Sequence, residues 1–237
     1  MGDGSPAIVK TPPIPDDRLN MKKNTLGLTI GTLCLAASIG AHATTAAELI
    51  VRGTIKPLAC NLSLAGGGIV DYQVIPSGSL SATQFNPLAP KSVSLSVSCG
   101  QTPAKFGLAL TDLQSGSKVP GILGAGFTEA QNYGLGAVSG KRTGGYSVTL
   151  KDLRSSTGNL SPLMRVGTTG SWQSSDGKVA QKPSQYSWRN GTSLVPASIT
   201  QLNGTLEVKA VINRTQDLDL TRDVTLDGRA TLELTYI

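Results

Sequence analysis

The sequence predicts an all-β domain, a sandwich or barrel of short strands, and three observations carry that expectation. Apolar residues recur at every second position in five separate stretches, the mark of half-buried strands. Turn-forming pairs stand between them: Asn86-Pro87, Asp176-Gly177, Asn190-Gly191, Asn203-Gly204 and Asp227-Gly228. Charged residues make up only 15% of the chain while Gly reaches 28 and Pro 13, a balance that argues against helix bundles and coiled coils. No window of twelve residues carries a convincing helical stripe.

In chain order, residues 1–20 are polar and Pro-rich and read as an unstructured leader or a start-codon artefact. Met21-Lys22-Lys23, the apolar stretch from Leu26 to Ile39 and the small residues of Ala41-His42-Ala43 have the layout of a secretory signal peptide, placed at 21–43. The apolar stretch is too short and too broken by Gly and Thr for a membrane span. Cys34 follows the large Leu33, so a lipid anchor is not expected. Residues 44–54 then form an N-terminal extension and 55–237 the β-domain.

Cleavage after Ala43 removes His42, the only histidine, together with Cys34. What is left has no imidazole base for a nucleophile and no histidine for zinc, so neither a catalytic nor a metal site is expected, and no cofactor. A carboxylate pair is the remaining route to hydrolysis. The acids stand mostly isolated among Ser, Thr and Gly, and Asp217 with Asp219 reads as a solvated loop or edge. The net charge of +6 is spread over single Lys and Arg residues, which gives no footprint for nucleic acid. Gly66-Gly67-Gly68 and the cluster from Gly121 to Gly126 lack dinucleotide-loop spacing and are read as loops.

The strands follow from the alternation. Val93, Leu95, Val97 and Cys99 alternate with serines; Phe106, Leu108 and Leu110 continue the same period; Tyr146, Val148 and Leu150 make a third. Leu206, Val208, Ala210 and Ile212 form a fourth, and Ala230, Leu232, Leu234 and Tyr236 the last. Cys60 and Cys99, in an exported chain, are expected to be joined as a disulfide. Thr45, Ala47, Leu49, Val51 and Gly53 lie on one face at period two, with Glu48, Ile50 and Arg52 on the other.

These residues resemble a known family. Gly53-Thr54-Ile55-Lys56-Pro57-Leu58-Ala59-Cys60 is similar to the start of a fimbrial (pilin) subunit of the bacterial chaperone–usher pathway, or of the pilin-like proteins of unassigned role beside it. Cys99 closes a Ser/apolar strand as the second cysteine does there. Gly228-Arg229-Ala230-Thr231-Leu232-Glu233-Leu234-Thr235-Tyr236-Ile237 resembles the pilin C-terminal strand with its penultimate tyrosine, and Asn203 to Ile212 the strand before it. Two departures stand out: Ala47 where pilins often carry glycine, and Asp223-Val224 near where a glycine is usual.

The resemblance implies an incomplete immunoglobulin-like β-sandwich, pilin-like, with one disulfide and lacking the final strand. It implies a structural subunit of a surface fimbria, exported through the periplasm. A periplasmic chaperone would hold the open groove first, an outer-membrane usher would pass the subunit on, and neighbouring pilin subunits would complete it by donor-strand exchange. Thr45, Ala47, Leu49, Val51 and Gly53 would then be the donor positions, and Ala230, Leu232, Leu234 and Tyr236 the groove edge. Two alternatives stay open. Leu49 to Ile55 could belong to this domain's own first strand. The chain could also be a stand-alone secreted carbohydrate-binding or adhesive module, with Trp172, Trp188, Tyr133, Tyr146 or Tyr186 stacking on sugar.

Overall fold

The computed structural model describes residues 48–53 and 59–237. The chain divides into two units, Met1–Gly53 and Thr54–Ile237. In the first, Glu48 to Gly53 carries no strand, and Leu49 and Val51 are 88% and 87% exposed. The second is all-β. Its strands are β1 (Asn61–Leu64), β2 (Asn86–Pro87), β3 (Lys91–Ser98), β4 (Phe106–Asp112), β5 (Tyr133–Gly134), β6 (Ala137–Val138), β7 (Lys141–Arg142), β8 (Gly144–Ser155), β9 (Gly158–Asn159), β10 (Ser161–Val166), β11 (Gln173–Ser174), β12 (Ser184–Arg189), β13 (Gln201–Ile212) and β14 (Ala230–Tyr236). Among the described residues there is no α-helix, only short 3-10 turns.

Two antiparallel sheets pack face to face. One runs β1-β3-β13-β8-β5, with β2 added on β13 and β9 on β8; the other runs β11-β10-β12-β4-β14. β6 and β7 form a separate hairpin. The alternation explains the packing. In β3, Val93, Leu95 and Val97 turn inward and are buried, while the serines between them face out. Phe106, Leu108 and Leu110 of β4 and Tyr186 and Trp188 of β12 meet them from the opposite sheet. Phe106 and Trp188 pack edge to face with ring centroids 4.7 Å apart, the arrangement the ring quadrupoles favour.

Cys60 and Cys99 are joined, and the bridge ties the residue before β1 to the end of β3. The pair belongs to an oxidising compartment, where such bonds form and persist.

Three turn signals resolve differently. Asn203-Gly204 is not a turn: it lies inside β13, opposite a one-residue bulge in β8 between Lys151 and Arg154. Asp152 in that bulge has φ 52°. A Cβ on Gly204 would come within 2.7 Å of the tip of the Leu153 side chain, so this glycine sits at a close packing contact rather than at a chain reversal. Asn86-Pro87 is the short strand β2, where proline's missing N–H costs no ladder bond at an edge. Gly228 presses against Tyr146, and a Cβ there would come within 2.8 Å of its ring.

Candidate functional site

Along one side of the sandwich the two sheets leave an opening between them. There, β1 is the last strand of the first sheet and β14 the last of the second. β14 pairs residue by residue with β4, from Ala230↔Asp112 to Tyr236↔Phe106. Among the described residues no strand pairs with its other edge. Leu232 and Leu234 are consequently half-buried, as are Leu62 and Leu64 on β1. Between these edges lies an apolar groove of about 340 Å³. Its floor is made by Leu110, Tyr146, Val148, Leu206, Val208 and Ala210, and its walls include Leu64, Val70, Tyr72, Leu226 and Leu232.

The wall facing β14 is completed by a segment the strand reading missed. After β1, three glycines at φ 59°, 66° and 79° turn the chain, a conformation that side chains disfavour. Gly68, Val70 and Tyr72 then face inward, and Ile69, Asp71 and Gln73 outward. The segment is strand-like in its alternation yet lies in neither sheet. Tyr72 fixes its height: its hydroxyl donates to the Val208 carbonyl at 3.0 Å and accepts from the Ala210 N–H at 3.2 Å. Burial pushes the Tyr72 phenol up, against the opposing bond from Ala210. The phase breaks at Gln73, at φ 59°, whose N–H donates to Asp71 Oδ1 at 2.7 Å. The signal was present in the sequence, as Gly68-x-Val70-x-Tyr72 before Pro76.

Both ends of β14 are pinned. At its C-terminal end the Cys60 N–H donates to the Tyr236 hydroxyl at 2.6 Å, joining the two edges across the groove. Ile237 N–H donates to the Lys105 carbonyl at 3.0 Å. At the start, Arg229 Nε and Gln114 Nε2 each donate to Asp227, both at 2.8 Å. Gln114 N–H and Gly134 N–H donate to the buried Asp112 carboxylate at 2.8 and 2.9 Å. Each oxygen of this buried acid thus accepts one backbone N–H, which fits a structural carboxylate. On the outer face Lys182 Nζ stands 2.6 Å from Glu233.

Ala230, Leu232, Leu234 and Tyr236 therefore form one strand beside the groove. Cys60, bonded to Cys99, meets the C-terminal end of this strand through the Tyr236 hydroxyl. Leu49, Val51 and Gly53 lie in the exposed stretch of the other unit, whereas Thr45 and Ala47 lie outside the described residues. Of the five aromatic residues considered for sugar stacking, Trp188, Tyr133, Tyr186 and Tyr146 are buried. Trp172 is half-buried and already covered by the Arg165 guanidinium, 4.6 Å from its centroid. Among the described residues no three His, Cys, Asp or Glu side chains converge to hold a metal ion.

A family model described as a protein of unknown function (DUF1120) matches residues 49–147. The matched stretch begins at Leu49 and takes in the disulfide, β1, the Gly68–Gln73 wall, β3 and β4. A comparison with curated proteins finds no match.

Proposed function

We propose that the chain is a structural subunit of a bacterial surface fimbria, exported by a signal peptide at 21–43 and assembled by donor-strand exchange. The observation that carries this reading is the groove bounded by the free edge of β14. A row of unpaired backbone groups above an apolar floor is a template for another strand, and leaving it bare in water invites aggregation. A strand laid between β14 and the Gly68–Gln73 segment gains hydrogen bonds on both sides and covers Leu232, Leu234, Leu62 and Leu64.

Leu49 and Val51 supply matching chemistry, since both are apolar and exposed and stand two residues apart, the spacing that would put them on one face of a strand. Their burial would contribute roughly 3–6 kcal/mol before backbone bonds are added. Before assembly a periplasmic chaperone would fill the groove with a strand of its own and the outer-membrane usher would exchange it; the Cys60–Cys99 disulfide fits formation in that compartment.

The test is co-expression with a periplasmic pilus chaperone, comparing the intact chain with one truncated at residue 228. The intact chain should co-purify and the truncated one should not. Undiminished co-purification of the truncated chain removes β14 as the recognition edge and the assignment with it.

A further inference from the structure

Away from the groove, the outer face of the larger sheet holds a second feature. Outward positions on such a sheet ordinarily meet water and are polar. Val211 shares the outward phase of β13 with Glu207 and Lys209, opposite to the core residues Leu206, Val208 and Ala210, yet it is only 4% exposed. Two loops cover it from opposite sides. Phe85 comes from the β2 side and the turn at 122–127 from the β8 side, where Ile122 sits on Gly145, the ladder partner of Val211. They leave between them a cleft of about 270 Å³ that Lys209, itself exposed, also lines. Both walls are held in place by side-chain amides. Asn86 Nδ2 donates to the Asn213 carbonyl at 3.2 Å, and Asn86 Oδ1 accepts the Ser81 N–H at 2.7 Å. Asn132 Nδ2 donates to the Val119 carbonyl at 2.9 Å, and the Gly121 N–H donates to Glu129 Oε1 at 2.7 Å. A cleft so braced is formed before any ligand arrives.

Each wall offers a phenyl ring, and each ring already carries a cation. The Arg214 guanidinium lies 5.0 Å from the Phe85 centroid, and Lys178 Nζ lies 5.0 Å from that of Phe127. Both cations are answered by acids of their own, Asp217 at 3.4 Å and Asp176 at 3.0 Å. Lys209 is different. Among the described residues it has no carboxylate within ion-pair distance, and Glu207, two residues along the same face, is held by Lys151 at 2.8 Å. No acid lines the cleft, and no Asn or Gln that would hold sugar hydroxyls. We propose that this cleft binds a small aromatic carboxylate, its ring between Phe85 and Phe127 over Val211 and its negative charge on Lys209. The volume has room for one ring with a short acidic arm, at the low end for ligand sites. Offset or edge contacts with two phenyl rings favour an aromatic over an aliphatic acid. The site lies on the face of the sheet turned away from the groove floor and stands independently of the donor-strand reading.

The test is ligand-observed NMR titration of the full chain with phenylacetate, with neutral phenylacetamide and ringless acetate as controls. Phenylacetate should bind and acetate should not. Phenylacetamide should bind about three- to fivefold more weakly than phenylacetate, the factor for an exposed charge pair. Lys209→Met keeps the stem and removes the charge. It should lower phenylacetate binding by the same factor and leave phenylacetamide unchanged. The preference for the acid should shrink as salt rises. Phe85→Leu and Phe127→Leu keep an apolar cover on Val211 and should each weaken both ring ligands. Equal binding of phenylacetate and phenylacetamide, or phenylacetate binding untouched by Lys209→Met, overturns the proposal. Absence of phenylacetate binding overturns it as well, and so does binding that survives both leucine changes together, which would put the ligand elsewhere.

Discussion

β4 and β14 are neighbours of equal length, both alternate, and each is paired with the other along seven residues. Yet β4 is buried at every position but one, while β14 is exposed at both ends and half-buried between. Their second faces differ, with Gly107 and Ala109 on β4 opposite Thr235 and Glu233 on β14, but the face turned to the core carries Leu in both. β4 has β12 on its far side, and β14 has open groove. The paired leucines Leu108 and Leu234 thus end in different environments because burial depends on what lies beside a strand, and it is the less buried strand that is available for a partner.

Four changes would break or sharpen that contrast. The largest is loss of the disulfide, which holds the open side by fixing the chain just before β1. Cys60→Ser with Cys99→Ser should cost about 4 kcal/mol by the chain-entropy estimate for a separation of 39 residues. Denaturant unfolding measures it, and a loss under 1 kcal/mol would mean that packing alone fixes this corner.

Next is Leu108→Ala, on the closed strand, expected to cost about 3 kcal/mol. The same truncation at Leu234, its partner across the ladder, should cost about 1 kcal/mol in the free chain. That cost should rise once a peptide of residues 44–54 fills the groove. Equal costs in the free chain would mean that the groove is already covered in solution.

Alkaline pH probes the closed side. Burial first, then the charge of Asp112, pushes the Tyr146 phenol up. Tyr133 is raised by burial and then by Tyr186, Tyr146 and Asp112. Because the folded values lie above the ordinary 10.0, stability is full below pH 10 and is lost as pH rises through the range between unfolded and folded values. The loss should be about 1.4 kcal/mol per pH unit for each tyrosine. Flat stability from pH 10 to 11 in thermal melts would show that these rings are not enclosed. The smallest effect is Lys182→Ala, which removes an exposed ion pair on β14 and should cost about 0.5 kcal/mol or less in the same assay.

Much of the fold was legible because strand alternation is a local property. Val93 to Cys99 and Ala230 to Tyr236 announce their faces in sequence, and Cys60 and Cys99 announce a bond once export is inferred. Asn203-Gly204 was misleading because a turn and a bulge both call for glycine, and only the approach of Leu153 tells them apart. The Gly68–Gln73 wall was overlooked because its alternation is short and breaks at Gln73. The Asp112–Gln114–Asp227–Arg229 chain of bonds that pins β14 joins residues more than a hundred positions apart, and no local pattern records it.

By itself the sequence determined which residues alternate, which cysteines pair and which stretch before Cys60 is apolar on one face, since each depends on neighbours in the chain. The resemblance led to the expectation of an open edge at β14, but only the tertiary structure decided that a groove of about 340 Å³ lies beside it, walled by the Gly68–Tyr72 segment. The reason is physical: an edge is defined by the strand that does not pair there, and that is a relation between distant segments which no single segment encodes.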